Sequence, residues 1–85
     1  MNKYEFEITA ALNNHDNLTS FGIFNFVDKN FKHIMGLGTE YHYLAKLVES
    51  GKVIRSLRQD GVPIYRLNRE AFKENGESIS DRKAS

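Results

Sequence analysis

The chain has 85 residues, 40% hydrophobic and 27% charged, with a net charge of +1 and no cysteine. That suits one small domain with a thin stability margin and is too apolar for a disordered chain. It excludes disulfides, thiolate metal sites and cysteine nucleophiles together. No apolar run approaches the roughly 18 residues of a membrane span, and Glu5 and Glu7 interrupt the first apolar pattern, which argues against a signal peptide. A reducing, cytoplasmic setting is expected.

In chain order, Tyr4, Ile8, Ala11 and Leu12 recur at helical spacing, with Lys3, Glu5, Glu7 and Asn13 elsewhere, and predict a helix over Lys3 to Asn13. The polar "NNHDN" should end it, because Asn and Asp compete for the backbone. Thr19 or Ser20 then caps a second helix with Phe21, Phe24, Val27 and Phe31 on one face. A strand through "FGIFNFV" is the competing reading. After the connector "KHIMGLG", Thr39 is expected to cap "EYHYLAKLVES", with Glu40 at the positive end of that helix. Tyr41, Leu44, Ala45 and Val48 form its apolar stripe, with Leu47 at the edge. Thr39, Tyr43, Lys46 and Ser50 lie opposite, flanked by His42. Gly51 supplies the left-handed stop.

"KVIRSLR" and "VPIYRL" alternate apolar and polar residues around Gln59, Asp60 and Gly61, which predicts a β-hairpin. Pro63 has no N–H to give, so its strand is an edge or turns that side to water. By alternation Arg55 shares a face with Val53 and Leu57, and Val53, Leu57 and one of Ile64 or Tyr65 should close the core. Asn68 is placed to cap a short helix in "NREAFKENG", with Leu67 and Phe72 as a hydrophobic staple. Residues 1–76 are read as one domain and 77–85 as a loose tail.

Charge is distributed unevenly. Residues 1–28 carry one Lys and four acids, −3; residues 29–69 carry eight Lys or Arg and three acids, +5; residues 70–85 carry three against four, −1. An acidic partner should therefore meet the middle block.

The order helix, helix, connector, capped helix, glycine, hairpin resembles a winged helix–turn–helix domain over roughly residues 4–67. Its strongest part is "TEYHYLAKLVESGKVIRSLRQDGVPIYRL", where Leu44, Leu47, Gly51 and Val53 match the family's L-x-x-L-x-x-x-G-x-[VIL] run. The resemblance implies an α+β fold, a three-helix core with a hairpin wing, here followed by the short extra C-terminal helix. It also implies duplex DNA as partner, with the third helix (39–50) in the major groove and the wing (52–67) on the backbone or minor groove. Pro63 and Tyr65 resemble the wing of the branch that binds Z-form nucleic acid. The helix positions that hold Asn and Tyr in that branch hold Tyr41 and Ala45 here, so Tyr65 is expected to pack instead.

Thr39, His42, Tyr43, Lys46 and Ser50 carry the hydrogen-bonding groups a reading face needs. In the wing, Lys52, Arg55, Arg58 and Arg66 are the cationic candidates, and Arg58 is the expected phosphate contact. A solvated amphipathic helix and an edge guarded by charge are the bland readings of the same residues. Lys29 and Lys32 read as complements to a helix C-terminal dipole. His15, His33 and His42 lack the spacing of a zinc site, and no phosphate loop or nucleophile elbow occurs, so no metal, cofactor or catalysis is expected. The resulting expectation is a small, sequence-specific transcriptional regulator of bacterial or phage type, acting as a dimer. The alternatives are a winged-helix module that binds a protein and a replication or recombination accessory factor.

Overall fold

A computed structural model of the chain describes residues 2–71. Helices α1 (Lys3–Asn14), α2 (Ser20–Phe31) and α3 (Leu37–Glu49) are followed by strands β1 (Val53–Leu57) and β2 (Pro63–Leu67), the order of a winged helix. The competing strand over the second element is not formed. Phe72, and with it the proposed staple and the rest of the short C-terminal helix, lies outside the described residues.

Two of the three helices start at a side-chain cap. Asn2 caps α1 through a capping box: its side chain accepts from the Glu5 N–H at 2.9 Å, and Glu5 accepts from the Asn2 N–H at 3.2 Å. Thr19 caps α2 by accepting from the Gly22 N–H at 3.1 Å. Helix α3 begins earlier than its polar residues suggest. Gly36 is its N-cap and makes no side-chain bond, so Thr39 lies inside the first turn and caps nothing.

The core is one cluster. Ile8, Ala11 and Leu12 of α1 meet Ile23 and Val27 of α2, Met35 of the connector, Leu44 and Leu47 of α3, and Val53, Tyr65 and Leu67 of the hairpin. Three expected faces are corrected by this packing. In α1, Glu7 is buried rather than outward, held against the His33 ring through Nε2. In α2, Ile23 and Val27 form the seam, while Phe21 is 70% exposed and Phe31 is only partly buried. In α3 the buried line is Glu40, Leu44 and Leu47, leaving Tyr41 and Ala45 outside and Val48 half-buried. The true face is turned from the expected one by about one residue, ~100° of helix.

The hairpin register pairs Val53 with Leu67, Arg55 with Tyr65 and Leu57 with Pro63. Its core face closes at the base with Val53, Tyr65 and Leu67. Leu57 is 60% exposed, because the strands run out beyond the helices before reaching it. The loop has three residues: the Gly61 N–H donates to the Arg58 carbonyl at 2.8 Å, and the Arg58 N–H to the Val62 carbonyl at 2.9 Å. Only Gly61 of the Asp-Gly pair takes a positive φ, +86°.

Leu18, between α1 and α2, forms a third, one-residue strand. Its N–H donates to the Tyr65 carbonyl at 3.0 Å, and the Tyr65 N–H donates back at 2.8 Å. Alternation puts the missing N–H of Pro63 on that same side, past the end of the bridge, where no ladder bond is lost. The Asn68 Nδ2 donates to the Gly51 carbonyl at 2.8 Å and ties the exit of β2 to the end of α3.

Candidate nucleic-acid interface

Between α3 and the hairpin runs a groove of about 810 Å3, lined by Tyr41, His42, Ala45, Lys46 and Glu49 from the helix and by Arg55, Pro63 and Tyr65 from the wing. Gly51, at φ +82°, turns the chain directly from the helix into β1. The two walls therefore meet at a tight corner, and Arg55, third in its strand, faces back toward the helix.

The nine sequence candidates separate into groups. His42, Lys46 and Arg55 share the groove, and among the described residues neither Lys46 nor Arg55 forms an ion pair. Thr39, Tyr43 and Ser50 occupy the flank of α3 rather than its outer face. Tyr43 stacks on Tyr4 of α1 with ring centroids 5.4 Å apart and packs against the core. The Ser50 hydroxyl donates to the Leu47 carbonyl at 3.0 Å. Lys52 and Arg66 belong to the opposite face of the hairpin, with Ile54 and Ile64, by the strand alternation.

Arg58 sits at the wing tip with its guanidinium engaged. Nε and Nη2 donate to the two carboxylate oxygens of Asp60 at 3.0 and 2.7 Å. The arginine hydrogen bond, helped by the Val62 N–H, lowers the Asp60 pKa to about 2, and Asp60 in turn raises that of Arg58. The tip thus carries almost no net charge, and a phosphate must displace Asp60 to take the Arg58 fork. Arg69 is similarly engaged, donating to Asp16 and to the Asn13 side chain, each at 3.2 Å.

Glu40, expected at the positive end of α3, lies there but is 0% accessible, with neither carboxylate oxygen hydrogen-bonded. Desolvation raises its pKa to about 6; the nearby Ser20 hydroxyl opposes the shift but does not reach bonding geometry with either oxygen. It lies behind the groove, on the core side of α3.

The residues that sequence reasoning missed are Gly38 and Ala45 on the outer face, with Glu49 beyond them, and the exposed Leu37 and Tyr41 at its border toward α2. Beside them a cleft of about 360 Å3 is lined by Phe21, Leu37, Tyr41, Val62 and Pro63 among others. The signal was present in the helix wheel, since Leu44 and Leu47 with Glu40 form a tighter stripe than the one containing Tyr41 and Ala45. Counting only apolar residues in the buried stripe left Glu40 out of it.

The architecture and groove define a winged-helix domain. No family model matches the chain, and no curated protein matches it. Among solved structures it is similar to RosR of H. salinarum, with a TM-score of 0.76 and 18% sequence identity over 99% of this chain and 76% of that one. At that identity the likeness concerns the fold.

Proposed function

We propose that the protein binds double-stranded DNA as a small transcriptional regulator, with α3 in the major groove and the hairpin alongside on the backbone or minor groove. The observation that carries this reading is the convergence of His42, Lys46 and Arg55 in the helix–wing groove of a winged helix. Lys46 and Arg55, without ion-pair partners among the described residues, line this groove on the helix and wing sides. A domain this small gains specificity by binding paired half-sites, so it acts as a dimer. Phe21 and Phe24, stacked in parallel at 6.4 Å, are the second-helix aromatics available for the contact.

The test is fluorescence anisotropy with mixed-sequence duplex DNA at two salt concentrations. Binding should weaken steeply as salt rises, because phosphate contacts release counterions. Lys46→Ala and Arg55→Ala should each lower affinity and flatten the salt slope by roughly one.

A second reading is a protein-binding winged helix. It is favoured by the apolar cleft around Phe21, Leu37, Tyr41 and Pro63, since Phe21 and Leu37, 70% and 56% exposed, offer nothing to a phosphate. Absence of duplex binding at low salt would overturn the DNA reading in favour of this one.

A further inference from the structure

Alongside the Tyr41 hydroxyl, His42 and Lys46, the exposed part of α3 carries apolar groups in Leu37, Ala45 and the Tyr41 ring. Gly38, Tyr41, His42 and Ala45 follow one another along it at helical spacing, all exposed, with Leu37 at its start and Lys46 on one flank. Leu37 and Tyr41 are 56% and 53% accessible. Helices that read guanine present Arg or Lys to O6 and N7, and those that read adenine present Asn or Gln to N6 and N7. The sequence of α3, LGTEYHYLAKLVE, holds no Arg, Asn or Gln, and Lys46 is its only lysine.

One feature of the major groove does reward apolar side chains: the methyl group on C5 of thymine. Ala45 stands midway along the helix with its methyl outward, and the Tyr41 ring lies one turn before it. Gly38 precedes both. A Cβ built there would meet nothing within 4 Å, so packing does not require glycine, while its bare backbone lets the first turn come close to a base edge. Glu49, which phosphates would repel, lies one turn beyond Ala45 at the end of the helix.

Resting on the duplex-DNA reading, we propose that α3 selects its sites through C5-methyl groups of pyrimidines, with Ala45 and Tyr41 as the contacts. The ligands are the methyls of thymine and, by the same chemistry and groove position, the methyl of 5-methylcytosine. Lys46 and His42 add polar contacts at the flank of this apolar strip.

The experiment titrates the full chain with paired duplexes by anisotropy. In one pair thymine is replaced throughout by deoxyuridine, which removes only the methyl. In the other, cytosine is replaced by 5-methylcytosine, which adds it. Binding should weaken in the first pair and strengthen in the second, by about fourfold for each methyl buried, the transfer value of one CH2 group. Ala45→Ser, at an exposed position, should shrink both differences. Equal binding within both pairs would overturn the inference and leave duplex binding standing. A response in one pair alone, which altered duplex shape can produce, would overturn it equally. Failure to bind any of the duplexes would instead remove the DNA reading on which the inference rests.

Discussion

Arg58 and Asp60, two residues apart at the wing tip, clasp each other through two hydrogen bonds of 3.0 and 2.7 Å. The arginine that looked most available to a phosphate in the sequence is the one whose fork is already filled. Asp60→Asn keeps an acceptor for the Val62 N–H, which the native side chain meets at 3.2 Å, but removes the charge that holds Arg58. It should tighten duplex binding and steepen the salt dependence by roughly one phosphate contact. Salt titrations of the two proteins check this; parallel slopes would show that the tip does not reach DNA. The Asp60 carboxyl is depressed to about 2 from 3.8, so its contribution is present above pH 3.8 and lost only as pH falls through about 2. The clasp therefore adds no pH dependence to binding near neutrality.

Glu40 acts in the opposite sense. Its carboxyl is raised from 4.5 to about 6, so the folded state holds the proton more tightly than the unfolded chain does. The favourable linkage is complete below pH 4.5 and is lost as pH rises through about 6, leaving a buried, unpartnered carboxylate at neutral pH. Glu40→Met, of similar size and good helix propensity, should stabilise the protein by about 2 kcal/mol at pH 7.5. The gain should shrink by pH 4.5. Denaturant unfolding at the two pH values measures it, and a gain independent of pH would rule out ionisation as its source.

Gly38 separates stability from binding. The added methyl of Gly38→Ala meets open space in the first turn of α3, so folding should gain about 0.5 kcal/mol, less than at a helix interior. If the first turn of α3 approaches bases closely, the same methyl should reduce duplex affinity. Thermal unfolding and anisotropy on one preparation give both quantities. A more stable protein with unchanged binding would place the docking surface elsewhere.

The hairpin register predicts an asymmetry between two leucines. Leu67→Ala, at a position 6% accessible, should cost about 2–5 kcal/mol, a large share of the stability of so small a domain. Leu57→Ala, 60% exposed at the far end of β1, should change stability by no more than about 0.5 kcal/mol. Comparable losses at both positions would contradict the register in which Leu57 opposes Pro63.

Much of the chain could be read locally. Thr19 capping α2, Gly51 ending α3, and the hairpin centred on Asp60 and Gly61 each follow from interactions within a few residues. The candidate site was legible in part. Lys46, His42 and Arg55 were named, but Tyr43 was assigned outward when it stacks on Tyr4, far away in sequence. Tyr41 and Ala45 were assigned inward because the apolar residues Tyr41, Leu44, Ala45 and Val48 were taken as the buried stripe, whereas the core takes in Glu40 with Leu44 and Leu47.

The sequence by itself determined the winged-helix order of elements, because caps, glycine stops and turn residues act through short-range hydrogen bonds and dihedral preferences. It also determined that positive charge gathers between residues 29 and 69. Tertiary structure alone decided which side of α3 faces out, through the burial of Glu40 with Leu44 and Leu47. It alone joined Leu18 to Tyr65, and it turned Arg55 into the groove while Arg66 fell on the other face of the hairpin. Those outcomes depend on how separate elements share one core, which contacts between residues distant in sequence decide and no local rule fixes.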